Sequence, residues 1–293
     1  MKSPWISHLL LILTTLGSAC SQDPIGVHAP ASQDRPSVPI VRDRVLPSLE
    51  ATYPDQFFTK ADTLSYADFT IAKRTRYARV EGHETELSYA RLTKAGRTVR
   101  TFDGLQHPSG NQTDFGLCSV LGMNTHQLVV EQTGPRNWLH WIVDLDAGGR
   151  VIFDGERWHV DRELAIVDLD GDGVSEILQT VTSFWHLFSS GAAGTMGSPS
   201  VVFAYDSAER YYIPASSRFA DYREKLGLGS RDSTSTDAVL AETLHLLYIG
   251  REQDAWAHFE REYDSPEKRR IEREVRRILK TETVYAFLRD NAI

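Results

Sequence analysis

The sequence predicts a mainly β protein with a helical C-terminal region. Over residues 66–215, short runs of β-branched and aromatic residues alternate with turns rich in glycine, aspartate and asparagine. This texture is typical of antiparallel strands joined by hairpins. From about Arg218 onward, apolar residues recur instead near a period of 3.6, which favours helices.

The β region contains a series of short runs with strand character. Each is bounded by turn residues, as in the Asp-Ala-Gly-Gly segment at residues 146–149. The runs lie at residues 87–92, 127–132, 138–143, 151–153, 163–167, 176–181, 201–205 and 211–213. They predict an antiparallel β domain over residues 61–217, followed by a helical region over residues 218–293.

Two helices of the C-terminal region have clear start signals. Thr236 can cap a helix over residues 237–249, and Gly250 suits its stop. Ser265, followed by a proline and an acid, predicts a second helix over about residues 266–280. The inner face of this second helix is apolar, and its basic opposite side is typical of a solvated face. The apolar residues are Ile271, Val275, Ile278 and Leu279.

The N-terminus predicts a secretory signal at residues 1–19. A short n-region containing Lys2 precedes an apolar stretch over residues 5–16. That stretch is too short for a bilayer core of about 30 Å, so it favours a removable signal over a membrane span.

The junction after this stretch points to lipidation. Leu-Gly-Ser-Ala-Cys at residues 16–20 resembles the lipobox of bacterial lipoproteins, with the leucine one place upstream of the commonest position. The resemblance implies cleavage before Cys20, diacylation of Cys20 and a membrane anchor in the cell envelope. Ser21, in place of aspartate, favours the outer membrane in an organism that has one. The alternative is an ordinary secretory signal that is cut after Ala19.

Residues 20–60 have the composition of a tether. Six of the twelve prolines fall between Pro24 and Pro54, among polar residues. Because proline holds the chain extended and removes a backbone donor, this segment is expected to be a semi-rigid spacer. The alternative is that its few apolar residues pack on the folded body.

Composition excludes one class of partner. The formal net charge is −8, and no basic stripe interrupts the acidic surface pattern. Nucleic acid is therefore not expected as a partner. Only Cys20 and Cys118 are present, so a lipidated Cys20 leaves no disulfide pair. Cys118 lies in an apolar run and is expected to be a buried small hydrophobe.

The most informative motif is the acidic loop, defined as residues 168–176. It reads Asp-Leu-Asp-Gly-Asp-Gly-Val-Ser-Glu, with glycines where the backbone must turn. Such clustered carboxylates repel one another unless a cation lies between them, and an oxygen-only ligand set suits Ca²⁺. An EF-hand is excluded because strand-like runs flank the loop and Gln179 occupies the twelfth position. A metal-free turn in which Asp168 caps its own backbone is the alternative.

This loop resembles the calcium loop of FG-GAP and VCBS-type repeats, which line the blades of β-propellers. The resemblance covers about residues 138–215 and implies a blade-like antiparallel β domain, either a partial propeller or sandwich-like. It implies five calcium ligands, of which Val174 would use its carbonyl oxygen. The ligands are Asp168, Asp170, Asp172, Val174 and Glu176.

A partial echo of the loop occurs at residues 144–149. Gly148 stands there where the third carboxylate belongs, so no second ion is expected. About 150 β residues are also too few for the four or more blades, at about 40–50 residues each, that a closed propeller needs. A second echo, Gly250 with Ala255 and Phe259, matches the core of a tetratricopeptide hairpin. A single copy favours a helical hairpin that packs on the β domain over a true repeat array.

No sequence motif assigns an enzymatic activity. The chain lacks the nucleophile-elbow, zinc-protease, P-loop and dinucleotide-binding patterns. Trp185, His186 and Phe188 lie beside a stretch of small residues, so they define a candidate ligand groove, with a disordered hairpin tip as the alternative. The sequence therefore favours a non-enzymatic binding module for a protein or an envelope polymer. The alternative is a secreted hydrolase whose site is assembled without a local motif, from His140, His159, His186 and Asp206.

Overall fold

A computed structural model describes the chain at residues 51–53, 56–135, 137–188, 198–226 and 235–291. These residues form antiparallel β sheets followed by helices, which confirms the predicted fold class. The predicted signal, Cys20 and most of the predicted tether lie outside the described residues. Over the described residues, no helix combines the length and the apolar character needed to cross a membrane.

The described strands form three antiparallel sheets of four strands each, and every sheet is a meander of consecutive strands. The first sheet contains β1 (Thr63–Tyr66), β2 (Phe69–Val80), β3 (His83–Lys94) and β4 (Arg97–Phe102). The second contains β5 (Gln112–Cys118), β6 (Gln127–Thr133), β7 (Trp138–Asp144) and β8 (Arg150–Asp154). The third contains β9 (Val160–Val167), β10 (Glu176–Val181), β11 (Ser200–Asp206) and β12 (Tyr211–Pro214).

Four-stranded meanders of this kind have the form of propeller blades, and none of the described sheets closes into a barrel. The described residues supply three such sheets. Since a closed propeller typically needs at least four blades, the described sheets fit a blade-like or sandwich-like β domain.

The second sheet is buried on both faces. Val130 and Trp141 pack against Phe69 and other residues of the first sheet. Val129 lies on the opposite face, in a cluster shared with the third sheet and the C-terminal helices. Because both faces are covered, the first four residues of β6 are all buried, and the strand has no alternation of apolar and polar residues.

The first sheet extends a long hairpin away from this core. β2 and β3 pair along twelve residues, from Phe69 opposite Lys94 to Val80 opposite His83. β1 covers β2 only as far as Ala72, and β4 covers β3 only from Ala90. The distal half of the hairpin therefore extends beyond its neighbouring strands, and it has residues such as Tyr77 exposed and Thr85 and Leu87 buried.

The helices begin at slightly different residues from those predicted. They are α1 (Gly155–Trp158), α2 (Tyr222–Lys225), α3 (Thr236–Tyr248), α4 (Glu252–Glu262), α5 (Lys268–Leu279) and α6 (Thr283–Asp290). The cap of α3 is Ser235 rather than Thr236, because the Ser235 side chain accepts a hydrogen bond from the Ala238 N–H. Ser265 does not cap α5 directly, since it accepts from the Glu267 N–H in a turn that precedes the helix.

The helices pack onto the β sheets and extend the same core. Ala255 and Phe259 of α4 are buried against α3, and the predicted inner face of α5 is buried as well. The Phe287 ring on α6 meets the Trp158 ring edge to face, with centroids 5.4 Å apart. The loop after α3 turns at Gly250, whose φ of +84° favours glycine as the sequence predicted.

Candidate metal site

The acidic loop joins two neighbouring strands of the third sheet. β9 ends at Val167 and β10 begins at Glu176, and these two buried residues are paired across the ladder. The loop is therefore held between strands on both sides, as the sequence predicted. Because an EF-hand loop lies between helices, this setting excludes an EF-hand.

Two glycines give the loop its course. Gly171 and Gly173 have φ values of +77° and +86°, a region that side chains with a Cβ rarely adopt. Asp168 fastens the turn, since its two carboxylate oxygens accept from the Gly171 N–H at 2.7 Å and from the Gly173 N–H at 3.0 Å. A side chain at either glycine would meet no atom within 4 Å, so conformation rather than space requires glycine here.

Three carboxylates converge at this loop. One oxygen each from Asp168, Asp170 and Glu176 lies within 4.8 Å of the other two. Glu176 is only 3% exposed, Asp168 is half-buried and Asp170 is exposed, so the group opens to solvent on one side. The three oxygens can hold a metal ion, and carboxylate ligands suit a hard cation.

The electrostatics of Glu176 fit such a cation. Burial raises the pKa of this carboxyl from 4.5 to about 7, and the negative charges of Asp170, Asp172 and Asp168 add to the rise. A hydrogen bond from the Leu169 N–H at 2.8 Å opposes it. A buried carboxylate among three others is costly when ionised, and a bound cation would remove that cost.

The protein supplies part of the positive charge itself. The Arg218 guanidinium donates to Oδ2 of Asp170 at 2.5 Å and lies over the Phe219 ring, 4.9 Å from its centroid. Lys225 reaches the same loop, and its Nζ donates to the Leu169 carbonyl oxygen at 3.1 Å. Both cations follow β12, and no pattern in the sequence indicates that this region contacts the loop.

Asp172 and Val174 stand outside the converging group. Oδ1 of Asp172 accepts from the Val174 N–H at 2.8 Å, which closes a small turn within the loop. Asp172 is exposed and Val174 is half-buried. Of the five ligands implied by the resemblance, the structure thus brings together the side chains of three.

The C-terminal end of the loop is anchored to the segment between β5 and β6 and to β12. The Ser175 N–H donates to the Val120 carbonyl at 2.8 Å, and the Ser175 carbonyl accepts from the Tyr212 hydroxyl at 2.8 Å. Tyr212 is fully buried, so its hydrogen bond to Ser175 holds the backbone next to Glu176 in place. These contacts depend on residues far away along the chain, and sequence reasoning did not identify them.

The residues of the candidate ligand groove do not share one surface. Trp185 is 48% exposed, and His186 is partly exposed, with its Nε2 3.6 Å from a carboxylate oxygen of Glu274. Phe188 is buried in the core with residues of the third sheet and the helices. The glycine-rich segment at residues 189–197 lies outside the described residues.

The histidines of the hydrolase alternative have separate environments. His140 is fully buried, and its Nε2 lies 2.6 Å from a carboxylate oxygen of Glu131. His159 is exposed at the end of α1, in a left-handed conformation. Asp206 accepts from two backbone N–H groups in the turn after β11. Within the described residues, the carboxylates of the acidic loop are the only group of three or more potential ligands that converges on a metal position.

No protein-family model matches this chain, and no curated protein or solved structure matches it either. The likeness to calcium-loop repeats therefore rests on the residues of the acidic loop. What the geometry establishes is a cluster of carboxylates able to hold a metal ion, set between two strands of a blade-like sheet.

Proposed function

We propose that this protein is a cell-envelope lipoprotein whose β domain is a calcium-stabilised, non-enzymatic binding module for a protein or an envelope polymer. The convergence of Asp168, Asp170 and Glu176 between two strands carries the proposal. In this role the ion is a structural staple, because it would tie the start of β10 to the end of β9.

Several features of the loop support calcium over other cations. All available donors are oxygens, which suits calcium and magnesium better than zinc or copper. Calcium takes six to eight ligands in flexible geometry, whereas magnesium demands a near-ideal octahedron. Asp172 and the Val174 carbonyl lie in the same loop and would add ligands to the converging three after a small rearrangement. Affinity in extracellular modules of this class is commonly about 10⁻⁴–10⁻³ M.

The proposed location rests on the N-terminal sequence. The lipobox-like junction at residues 16–20 would place a diacylated Cys20 in the membrane, in the outer membrane where the organism has one. The proline-rich segment that follows would then hold the β domain clear of the lipid headgroups. Labelling cells with a tagged fatty acid tests this step: Cys20→Ala should abolish incorporation into the protein, and Cys118→Ala should leave it unchanged.

The calcium step is tested by thermal unfolding of the full-length protein. Unfolding is compared in excess calcium, in excess magnesium and in chelator. At a calcium concentration about a hundredfold above the dissociation constant, mass action adds about 2.7 kcal/mol, or a rise of about 5–10 °C for a protein of this size. A rise with calcium that magnesium does not reproduce supports the proposal, and identical curves in all three conditions would contradict it.

A further inference from the structure

A polar cleft of about 700 Å³ opens beside the projecting half of the β2–β3 hairpin. One wall contains Thr75 and Glu86 of this hairpin, and the other contains Asp114 of β5 and Thr133 of β6. Its size falls in the range of small-molecule and oligomer sites, which run from about 300 to 1,000 Å³. The cleft lies on the first and second sheets, whereas the acidic loop belongs to the third.

The charges inside the cleft largely neutralise each other. The Lys73 ammonium lies 2.6 Å from Oδ1 of Asp114 and 5.6 Å from the centroid of the Phe115 ring. Glu86 is the remaining charged residue of the lining. A site for phosphate or another anion would need an uncompensated cation, so the cleft is unsuited to that class of ligand.

Several polar side chains of the lining are uncommitted. Thr75, Ser109, Gln112 and Thr133 make no side-chain hydrogen bond to the part of the protein that the structure describes. They offer hydroxyl and amide groups that both donate and accept. Pro135 is the only residue with a wholly apolar side chain among the described residues of the lining. A peptide would find few pockets for the apolar anchors that dominate peptide binding.

An exposed aromatic ring stands at the rim. Tyr77 is 71% exposed and lies on the same face of β2 as Thr75. It is paired across the hairpin with Glu86, and its hydroxyl donates to a carboxylate oxygen of Glu86 at 3.4 Å. Tyrosine provides a large, rigid contact surface with an apolar face and a polar edge, at a low cost in conformational entropy.

We propose that this cleft binds a neutral oligosaccharide, with one sugar ring stacked on Tyr77 and its hydroxyl groups bonded to the uncommitted side chains of the lining. A ligand with many hydroxyls and no charge matches polar walls that are bordered by one aromatic face. The one described cation of these walls is paired with Asp114, and Glu86 is left as a hydrogen-bond acceptor. The inference rests on the proposed function in one respect, that the β domain binds a polymer without cleaving it. It identifies an envelope glycan as the polymer.

The test is titration of the full-length protein with four neutral tetrasaccharides: cellotetraose, maltotetraose, laminaritetraose and chitotetraose. At least one should bind with a micromolar to millimolar dissociation constant. Tyr77→Ala should weaken that binding about two- to tenfold, since it removes the apolar face on which the sugar ring would stack. Tyr77→Phe should retain most of the affinity. The fold is expected to survive both changes because the ring is exposed.

A matched control and the measurement of unfolding with calcium separate the outcomes. Tyr53→Ala removes another exposed aromatic residue, one outside the lining of the cleft, and should leave binding unchanged. Failure of all four tetrasaccharides to bind, or binding that Tyr77→Ala does not alter, would overturn the assignment. If calcium still raises the unfolding temperature in that case, the proposed glycan site is wrong and the proposed calcium-stabilised β domain is unaffected. Cleavage of a bound tetrasaccharide would refute the non-enzymatic function and leave the cleft as the site.

Discussion

The acidic loop and the turn at residues 144–149 begin alike and end differently. Both follow a buried strand, both join neighbouring antiparallel strands, and both open with Asp-Leu-Asp. In the turn, each carboxylate is occupied by donors. Asp144 accepts from the Ala147 N–H at 3.3 Å, and Asp146 accepts from the His126 N–H at 2.8 Å and the Tyr66 hydroxyl at 3.3 Å.

The first residue of the following strand determines whether a third carboxylate joins the two aspartates. β8 begins with Arg150, whereas β10 begins with Glu176, which directs a buried third carboxylate at Asp168 and Asp170. The Asp-x-Asp pattern alone therefore does not make a metal site. A site requires in addition that three carboxylates converge. Those of the acidic loop do so although each of them also accepts hydrogen bonds from the protein.

Glu176→Gln should produce the largest difference in calcium response between a variant of the acidic loop and a variant of the turn at residues 144–149. Without calcium, this variant is expected to unfold at a higher temperature than the parent at neutral pH, because the amide removes a buried charge beside three aspartates. With calcium, it should lose at least about half of the 5–10 °C stabilisation expected for the parent, because a ligand charge is gone. Thermal unfolding with and without calcium measures both effects.

The matched control is Asp146→Asn in the turn. It should leave the response to calcium intact and cost about 1 kcal/mol in both conditions through weakened hydrogen bonds to His126 and Tyr66. An equal loss of calcium response in Glu176→Gln and Asp146→Asn would contradict the assignment of calcium binding to the acidic loop alone.

Asp170→Asn should weaken calcium binding about tenfold, since it removes one ligand charge from the exposed side of the cluster. The variant should reach the parent's fold at saturating calcium, because Asp170 supports no buried contact. Isothermal titration gives the affinity, and circular dichroism at saturation gives the fold. A variant that binds calcium as tightly as the parent would remove Asp170 from the ligand set.

The pH dependence of stability should differ between the two regions as well. The pKa of Glu176 is raised from 4.5 to about 7 in the metal-free protein, so the folded state holds this proton more tightly than the unfolded state does. Its contribution to stability is therefore fully present below pH 4.5 and is lost as the pH rises through about 7. The difference in unfolding temperature between the parent and Glu176→Gln isolates this contribution. A difference that does not change between pH 5 and pH 8 would contradict it.

Much of the fold could be predicted because most strands carry their own signal. β6, β7, β10 and β11 are rich in β-branched or aromatic residues, and the predicted runs fall on them. β4 was missed because five of its six residues are exposed, so it lacks an apolar face. β1, β2 and β5 were missed as well, and exposure accounts only for the distal half of β2, since Phe69, Ile71 and Phe115 are buried. Strands that project from the core have no periodic pattern for a sequence to display.

The candidate metal site was likewise predicted only in part. The acidic residues lie within nine consecutive positions, so their order alone indicated a cation loop. Arg218 was not foreseen, because it lies 48 residues from Asp170 along the chain and reaches it only after the β11–β12 hairpin has formed. The support from Tyr212 and Val120 depends likewise on how the second and third sheets pack. Local ligands could be read from sequence, and the groups that tune them could not.

Arg218 provides the smallest expected effect and the finest distinction between the two regions. Its guanidinium is bonded to Asp170, so calcium would have to compete with a cation that the protein itself supplies. Among the described residues, no arginine has this role in the turn at residues 144–149. Arg218→Gln should therefore raise calcium affinity about two- to fivefold, the range expected for one exposed ion pair.

Arg223→Gln is the control, because Arg223 pairs with Glu242 on α3 and does not reach the loop. Since screening by salt weakens exposed pairs, the gain should shrink as ionic strength rises. A gain equally large for both variants would indicate a general change in surface charge, whereas a gain confined to Arg218→Gln would show that the loop holds a built-in counter-ion that its ligand has to displace.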